Sequence, residues 1–90
     1  MLSEYETYLL DQIDSRVEHA TDDELFAGGY LQGHITLAVA ELEQENNMQL
    51  EALRVRVEES IEKAIKAGEL SPPDQVLVIS TWRDLVNSIN

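Results

Sequence analysis

Apolar residues recur along most of the chain at the three- and four-residue spacing of amphipathic helices, and no segment gives a convincing strand pattern. One stripe covers residues 2–20, and others cover residues 31–42, 50–65 and 78–89. We therefore predict an all-α fold, a compact bundle of four main helices plus one short helix, with residues 1–90 forming a single helical domain. The residues expected in the core are Leu9, Ile13, Leu31, Ile35, Ala38, Leu42, Val57, Ile61, Trp82 and Leu85.

The segment from Thr21 to Glu43 is the most informative part of the chain. Thr21 and Glu24 have capping-box spacing, which predicts a short helix over residues 22–27 that Gly28-Gly29 interrupts. A helix over about residues 30–44 follows, and it is apolar or small around nearly its whole circumference. Such a helix must be surrounded by other elements or by a partner. We expect it to be the central helix, although one of its faces could instead be a dimer interface.

Turn and capping residues place the later boundaries. Asn46 is expected to cap the third main helix, and Gly68 is suited to the position just after its end. Ser71 precedes two prolines and an acid, which is the pattern of a helix start.

The segments from Ala20 to Glu43 and from Lys66 to Gln75 resemble the YfcL-like family of small bacterial proteins. The resemblance extends over nearly the whole chain, and its most specific part is DDELFAGGYLQGHITLAVAELE. It implies a helical fold and a bacterial cytosolic setting. It supplies no catalytic residue that could be transferred to this chain.

The formal net charge is −12, and it is unevenly distributed. Eleven of the eighteen acids but only one of the six bases lie within residues 1–45. Such a field repels phosphate backbones and anionic lipid, so we expect neither nucleic-acid nor membrane binding. It favours a protein partner with a basic patch, although an acidic surface also keeps a small domain soluble. The N-terminus has acids where a signal peptide has bases, so a cytoplasmic location is expected.

Acidic and aromatic residues of the N-terminal half form the candidate partner-binding site. The acids can steer a basic partner, and the aromatic pair beside the glycines can anchor it. The same acids have a structural explanation, because carboxylates in a first turn complement the helix dipole. The aromatic pair could pack internally or be exposed, and the sequence does not decide between a monomer and a homodimer. The candidate residues are Asp11, Asp14, Glu18, Asp22, Asp23, Phe26 and Tyr30.

Evidence for enzymatic chemistry is weak. The chain has no cysteine, and it lacks the Glu-x-x-His and His-x-x-x-His pairs of common zinc and di-iron sites. We therefore assign no catalytic, cofactor-binding or metal-binding residue and predict a non-enzymatic adaptor or regulatory module. The alternative is a small-molecule or metal-dependent enzyme that uses clustered carboxylates with His34. His34 otherwise fits a hydrogen-bonded residue at the edge of the core.

Overall fold

The computed structural model describes residues 2–89, which form helices joined by short turns. The α-helices are α1 (Leu2–Ser15), α2 (Asp22–Gln44), α3 (Leu50–Lys66) and α4 (Pro72–Asn87). A short 3₁₀ helix, Val17–His19, lies between α1 and α2, and no strand occurs in the described part of the chain. The predicted all-α fold with four main helices is therefore confirmed. None of the helices in residues 2–89 has the length and apolar character needed to span a membrane.

Helix α2 is the central element of the fold, because it packs against each of the other three helices. It contributes one arc of its circumference to the core, and the other helices close over that arc with aliphatic side chains and Trp82. All ten residues predicted for the core are buried. The buried residues of α2 are Ala27, Gly28, Leu31, Ile35, Ala38, Val39 and Leu42.

The predicted interruption at Gly28-Gly29 is wrong. Helix α2 continues through both glycines, so residues 22–27 are its first turns and the central helix begins at Asp22 rather than near residue 30. A glycine inside a helix costs about 1 kcal/mol relative to alanine. The burial of seven α2 residues outweighs that cost, because burying a large aliphatic side chain contributes about 1.5–3 kcal/mol.

Gly28 also has a packing role in the continuous helix. A Cβ atom at residue 28 would lie 3.0 Å from Cγ2 of Ile13, whereas one at Gly29 would meet nothing within 4 Å. The missing side chain at Gly28 therefore lets α1 approach α2 closely. The two adjacent glycines face different surroundings.

Three of the predicted helix boundaries are confirmed. Thr21 Oγ1 accepts the Glu24 N–H at 3.2 Å, and Glu24 Oε1 accepts the Thr21 N–H at 3.0 Å, which completes the capping box. The Ser71 hydroxyl accepts the Asp74 N–H at the start of α4. Gly68 follows the end of α3 with φ of 79°, in the left-handed conformation that glycine adopts at little cost.

Asn46 ends α2 instead of starting α3, so its predicted role is corrected. Its φ of 59° is left-handed, and its N–H donates to the carbonyl of Glu43 at 3.1 Å. The Asn47 N–H donates to the carbonyl of Leu42 at 2.9 Å. This pair of bonds is a Schellman motif with asparagine in the position that glycine usually takes. Gln49 is the residue that precedes α3, and its side chain makes no capping bond.

Trp82 is the largest fully buried side chain, and Trp82→Ala is expected to lower the free energy of unfolding by about 3–5 kcal/mol. That loss is a large part of the stability of a small domain, about 5–15 kcal/mol. Urea denaturation followed by circular dichroism measures it. Val76→Ala in the same helix is the control, because Val76 is 69% exposed and should change stability by less than about 0.5 kcal/mol. Equal effects of the two variants would show that α4 presents a different face to the core.

The adjacent glycines of α2 are expected to respond differently to the same substitution. Gly29→Ala should stabilise the fold by about 0.5–1 kcal/mol, because alanine is the better helix former and its methyl group enters open space. Gly28→Ala should lose that gain, because Ile13 would have to move within the core. Thermal unfolding of the two variants beside the wild type tests the difference. An equal gain at both positions would mean that α1 does not approach α2 at Gly28.

Candidate functional site

The first turn of α2 carries three exposed acids, Asp22, Asp23 and Glu24. Thr21 holds this turn in place through the capping box, and the carboxylates complement the positive end of the helix dipole. Hydrogen bonding of the Glu24 carboxyl to the backbone N–H and to the side chain of Thr21 lowers the pKa of Glu24 below its usual value. Part of this charge therefore stabilises the helix, and the capping box fixes the position of the acids.

An aromatic row continues from this turn along α2. Phe26 is 42% exposed, and its ring centroid lies 5.8 Å from that of Tyr30. The Tyr30 ring in turn lies 4.7 Å from the ring of His34. Residues four apart lie on the same side of a helix, so the three rings form a continuous row. Phe26 is therefore a surface residue, which settles a question that the sequence left open.

Tyr30 is fixed by a residue distant in sequence. Its hydroxyl donates to Glu69 Oε1 at 3.1 Å, in the turn between α3 and α4. Partial burial and this hydrogen bond to a carboxylate raise the pKa of Tyr30 above its usual value. The ring is consequently held in place, and the residue remains partly exposed. Nothing in the local sequence around Tyr30 indicates this contact.

His34 lies at the edge of the core, as predicted for a hydrogen-bonded boundary residue. Its Nδ1 atom is 2.6 Å from Oγ of Ser60 on α3, and the side chain is half-buried. Desolvation lowers the pKa of His34, although the nearby Glu69 carboxylate acts in the opposite direction. The imidazole is therefore neutral at pH 7 and helps to join α2 to α3.

The exposed side of α2 extends further than the sequence indicated. Leu37 is 55% exposed, and Gly33 and Ala40 are exposed near it. We use the name outer face for the exposed α2 surface that faces away from α1. Its members follow one another at three- and four-residue steps from the first turn, which keeps them on one side of the helix. The outer face consists of Asp22, Asp23, Phe26, Tyr30, Gly33 and Leu37.

The candidate residues do not all belong to the outer face. Asp11 and Asp14 are exposed on α1, which packs against α2 at Gly28. Gly28 and Tyr30 are two residues apart, so they point about 200° apart around the helix. Glu18 is exposed in the 3₁₀ helix that leads into α2. The structure thus brings together Asp22, Asp23, Phe26 and Tyr30, and it places the α1 acids on a different side of the molecule.

The acids at the two ends of α2 have different surroundings. Near the C-terminal end, Arg56 bonds to both carboxylate oxygens of Glu45 at 2.8 Å and to Glu41 at 3.4 Å. Within residues 2–89, no ion pair involves Asp22 or Asp23. The negative charge beside Phe26 is therefore not neutralised by a neighbouring base.

No group of three histidine, aspartate or glutamate side chains in the described chain is arranged so that it could hold a metal ion. The Nδ1 atom of His34 is engaged with Ser60.

The burial of His34 leads to a pH prediction. Because folding lowers its pKa from the ordinary 6.5, the unfolded state binds more protons, and stability should fall as the pH drops through 6.5. Thermal unfolding at pH values from about 7.5 to about 5.5 should show a smaller decrease for His34→Gln than for the wild type. Glu24 and Glu45 do not interfere, because their stabilising contributions are lost only as the pH falls below their usual 4.5.

The exposed His19 provides the matched control for that experiment. His19→Gln should retain the pH dependence of the wild type. If His34→Gln also retains it in full, His34 is not the group responsible.

Residues 3–87 match the protein family described as YfcL protein. Over 85 residues the chain is 54% identical to a protein of Escherichia coli (strain K12) named uncharacterized protein YfcL, and the match covers 94% of this chain and 92% of that protein. No solved structure is significantly similar to the chain. The match over nearly the full length confirms the resemblance seen in the sequence, and the chain belongs to the YfcL family.

Proposed function

We propose that the protein is a cytoplasmic, non-enzymatic adaptor or regulatory module that binds a protein with a basic patch through the outer face of α2. The observation that carries this proposal is the exposure of Phe26 and Leu37 on the central helix, beside the acids Asp22 and Asp23. Large apolar side chains on one face, rimmed by charge, are typical of a protein interface.

The aromatic residues provide the anchoring part of the proposed interface. Phe26 rests against Tyr30, and Tyr30 is held by Glu69, so neither ring has to be ordered when a partner binds. Rigid aromatic side chains often account for much of the binding energy of an interface. Leu37 and the flat surface at Gly33 extend the contact area along the helix.

The charges provide the steering part. Asp22 and Asp23 lie within one or two turns of Phe26, where they can contact basic side chains directly. Asp11, Asp14 and Glu18 lie elsewhere on the surface and act through the summed field of the molecule, which concentrates a basic partner near it. Such charges affect the association rate more than the dissociation rate.

The alternative is a small-molecule or metal-dependent enzyme that uses carboxylates with His34. The His34 ring packs against the Tyr30 ring at a tilt and is hydrogen-bonded to Ser60, which gives His34 a structural role without any reaction. The binding module is therefore the better-supported proposal.

Affinity capture from a bacterial lysate, followed by kinetics with the purified partner, tests the proposal. Asp22→Asn with Asp23→Asn should slow association several-fold at low salt and much less at high salt, because salt screens charges over about 8–10 Å. Phe26→Ala should mainly accelerate dissociation, since it removes the anchor. Asp11→Asn, Asp14→Asn and Glu18→Gln together should slow association and leave dissociation unchanged.

The matched controls lie on other helices. Glu59→Gln with Glu62→Gln changes the net charge by the same amount as the Asp22 and Asp23 pair, but on exposed positions of α3. Val76→Ala removes an exposed apolar side chain from α4. If these controls weaken binding as much as the α2 variants do, the outer face is not the binding surface. Sedimentation of the protein alone shows whether a second copy occupies the face instead, which would also contradict the proposal.

A further inference from the structure

A cleft of about 280 Å³ lies beside the first turns of α2. It is on the side of this helix opposite to His34. It is bounded by the end of α1, the 3₁₀ helix, α2 and α4. Its lining is divided almost evenly between polar and apolar surface, and the apolar share is slightly larger. The apolar share is formed mainly by Ile13, Val17, Leu25, Gly28, Gly29 and Leu85.

The two glycines explain why the cleft exists. Gly28 lets Ile13 approach α2 closely, so the floor of the cleft is formed by a tight contact. Gly29 leaves the space above that floor open, because a Cβ atom there would meet nothing within 4 Å. Val17 and Leu25 line the opening and remain 47% and 43% exposed. Two large, exposed aliphatic side chains at the opening of the cleft favour an occupant with an apolar part.

The polar residues of the cleft favour a positively charged neighbour for that occupant. Glu24 and Asp84 contribute two carboxylates, and Arg16 contributes one cation. The hydrogen bond that the Glu24 carboxylate accepts from the Thr21 N–H favours its ionised form. The local balance is therefore negative, within a chain whose net charge is −12.

We propose that this cleft receives an aliphatic or aromatic side chain of a partner protein, carried in a segment where lysine or arginine flanks that side chain. The inference rests on the proposed function, because it describes how the basic partner is held. The cleft is slightly smaller than the roughly 300–1,000 Å³ of small-molecule sites, which suits one anchoring side chain. Leu25 and Phe26 are consecutive residues that point about 100° apart, so one segment crossing the first turns of α2 could contact both surfaces.

Three short peptides test the proposal on the isotope-labelled wild-type protein by nuclear magnetic resonance. The probes are Lys-Lys-Leu-Lys-Lys, the same peptide with alanine at its centre, and Glu-Glu-Leu-Glu-Glu. The first should shift the amide signals of Leu25, Gly28, Gly29 and Leu85 in a saturable manner. The alanine peptide should bind at least about tenfold more weakly, because it lacks the anchoring methyl groups. The acidic peptide should produce no saturable shift. Equal shifts from the leucine and alanine peptides would overturn the proposal.

Two leucine variants of α2 provide a matched test on the protein side. Gly29→Leu should fill the cleft and weaken binding of the leucine peptide at least about tenfold, which is comparable to the loss expected when alanine replaces the central leucine of the peptide. Thr36→Leu places the same side chain at an exposed position of the same helix that neither lines the cleft nor belongs to the outer face. It should leave the affinity of the peptide unchanged within about twofold. Equal affinities of both variants would overturn the proposal, and the wild-type peptide comparison remains valid if either variant folds poorly.

These experiments distinguish a failure of this inference from a failure of the proposed function. Binding of the leucine peptide should persist in Phe26→Ala, because Phe26 does not line the cleft. If the lysate partner depends on Phe26 but the leucine peptide does not prefer the cleft, only the present inference fails. If the leucine peptide binds the cleft but no partner depends on the outer face, the cleft is still a binding site for a basic segment, whereas the proposed function fails.

Discussion

The packing of three helices against one arc of α2 is the constraint on which the rest of the structure depends. Residues 2–89 contain only three other α-helices to cover a helix that is apolar or small around most of its circumference. Helices α1, α3 and α4 cover the arc from Ala27 to Leu42, and these residues form no further α-helix that could cover the other side. Phe26 and Leu37 consequently face solvent. Their exposure therefore follows from the architecture.

The sequence predicted the parts of the fold that depend on local chemistry and helical periodicity. Every predicted core residue is buried, and the caps at Thr21, Gly68 and Ser71 lie where their side chains or backbone conformations require. The predictions failed where tertiary packing outweighed a local preference. Gly28-Gly29 favours a break when considered alone, but the buried arc of α2 extends across both glycines.

The candidate site was less predictable, because it depends on contacts between distant residues. Tyr30 is fixed by Glu69, which lies 39 positions away, and His34 is held by Ser60, which lies 26 positions away. Helical periodicity groups Tyr30, His34 and Leu37 on one stripe, but it does not show which flank of α2 is covered by α3. Because α3 covers the flank that carries His34, His34 contacts α3 and Leu37 faces solvent. The acids were identified correctly as exposed, but the distance between the α1 acids and the aromatic pair could not be read from the chain.

The charge alone does not distinguish a binding surface from a surface that only keeps the protein soluble. Asp22, Asp23 and Glu24 stabilise the start of α2, and that role would retain acids there without any partner. A net charge of −12 on so small a domain also opposes compaction through self-repulsion. Neither effect explains a large aromatic side chain in solvent next to those acids. A serine or glutamate at residue 26 would satisfy the helix equally well and would avoid exposing an aromatic ring. The apolar residues of the outer face therefore carry the argument for the proposed binding, and the acids add to it only the proposal that the partner is basic.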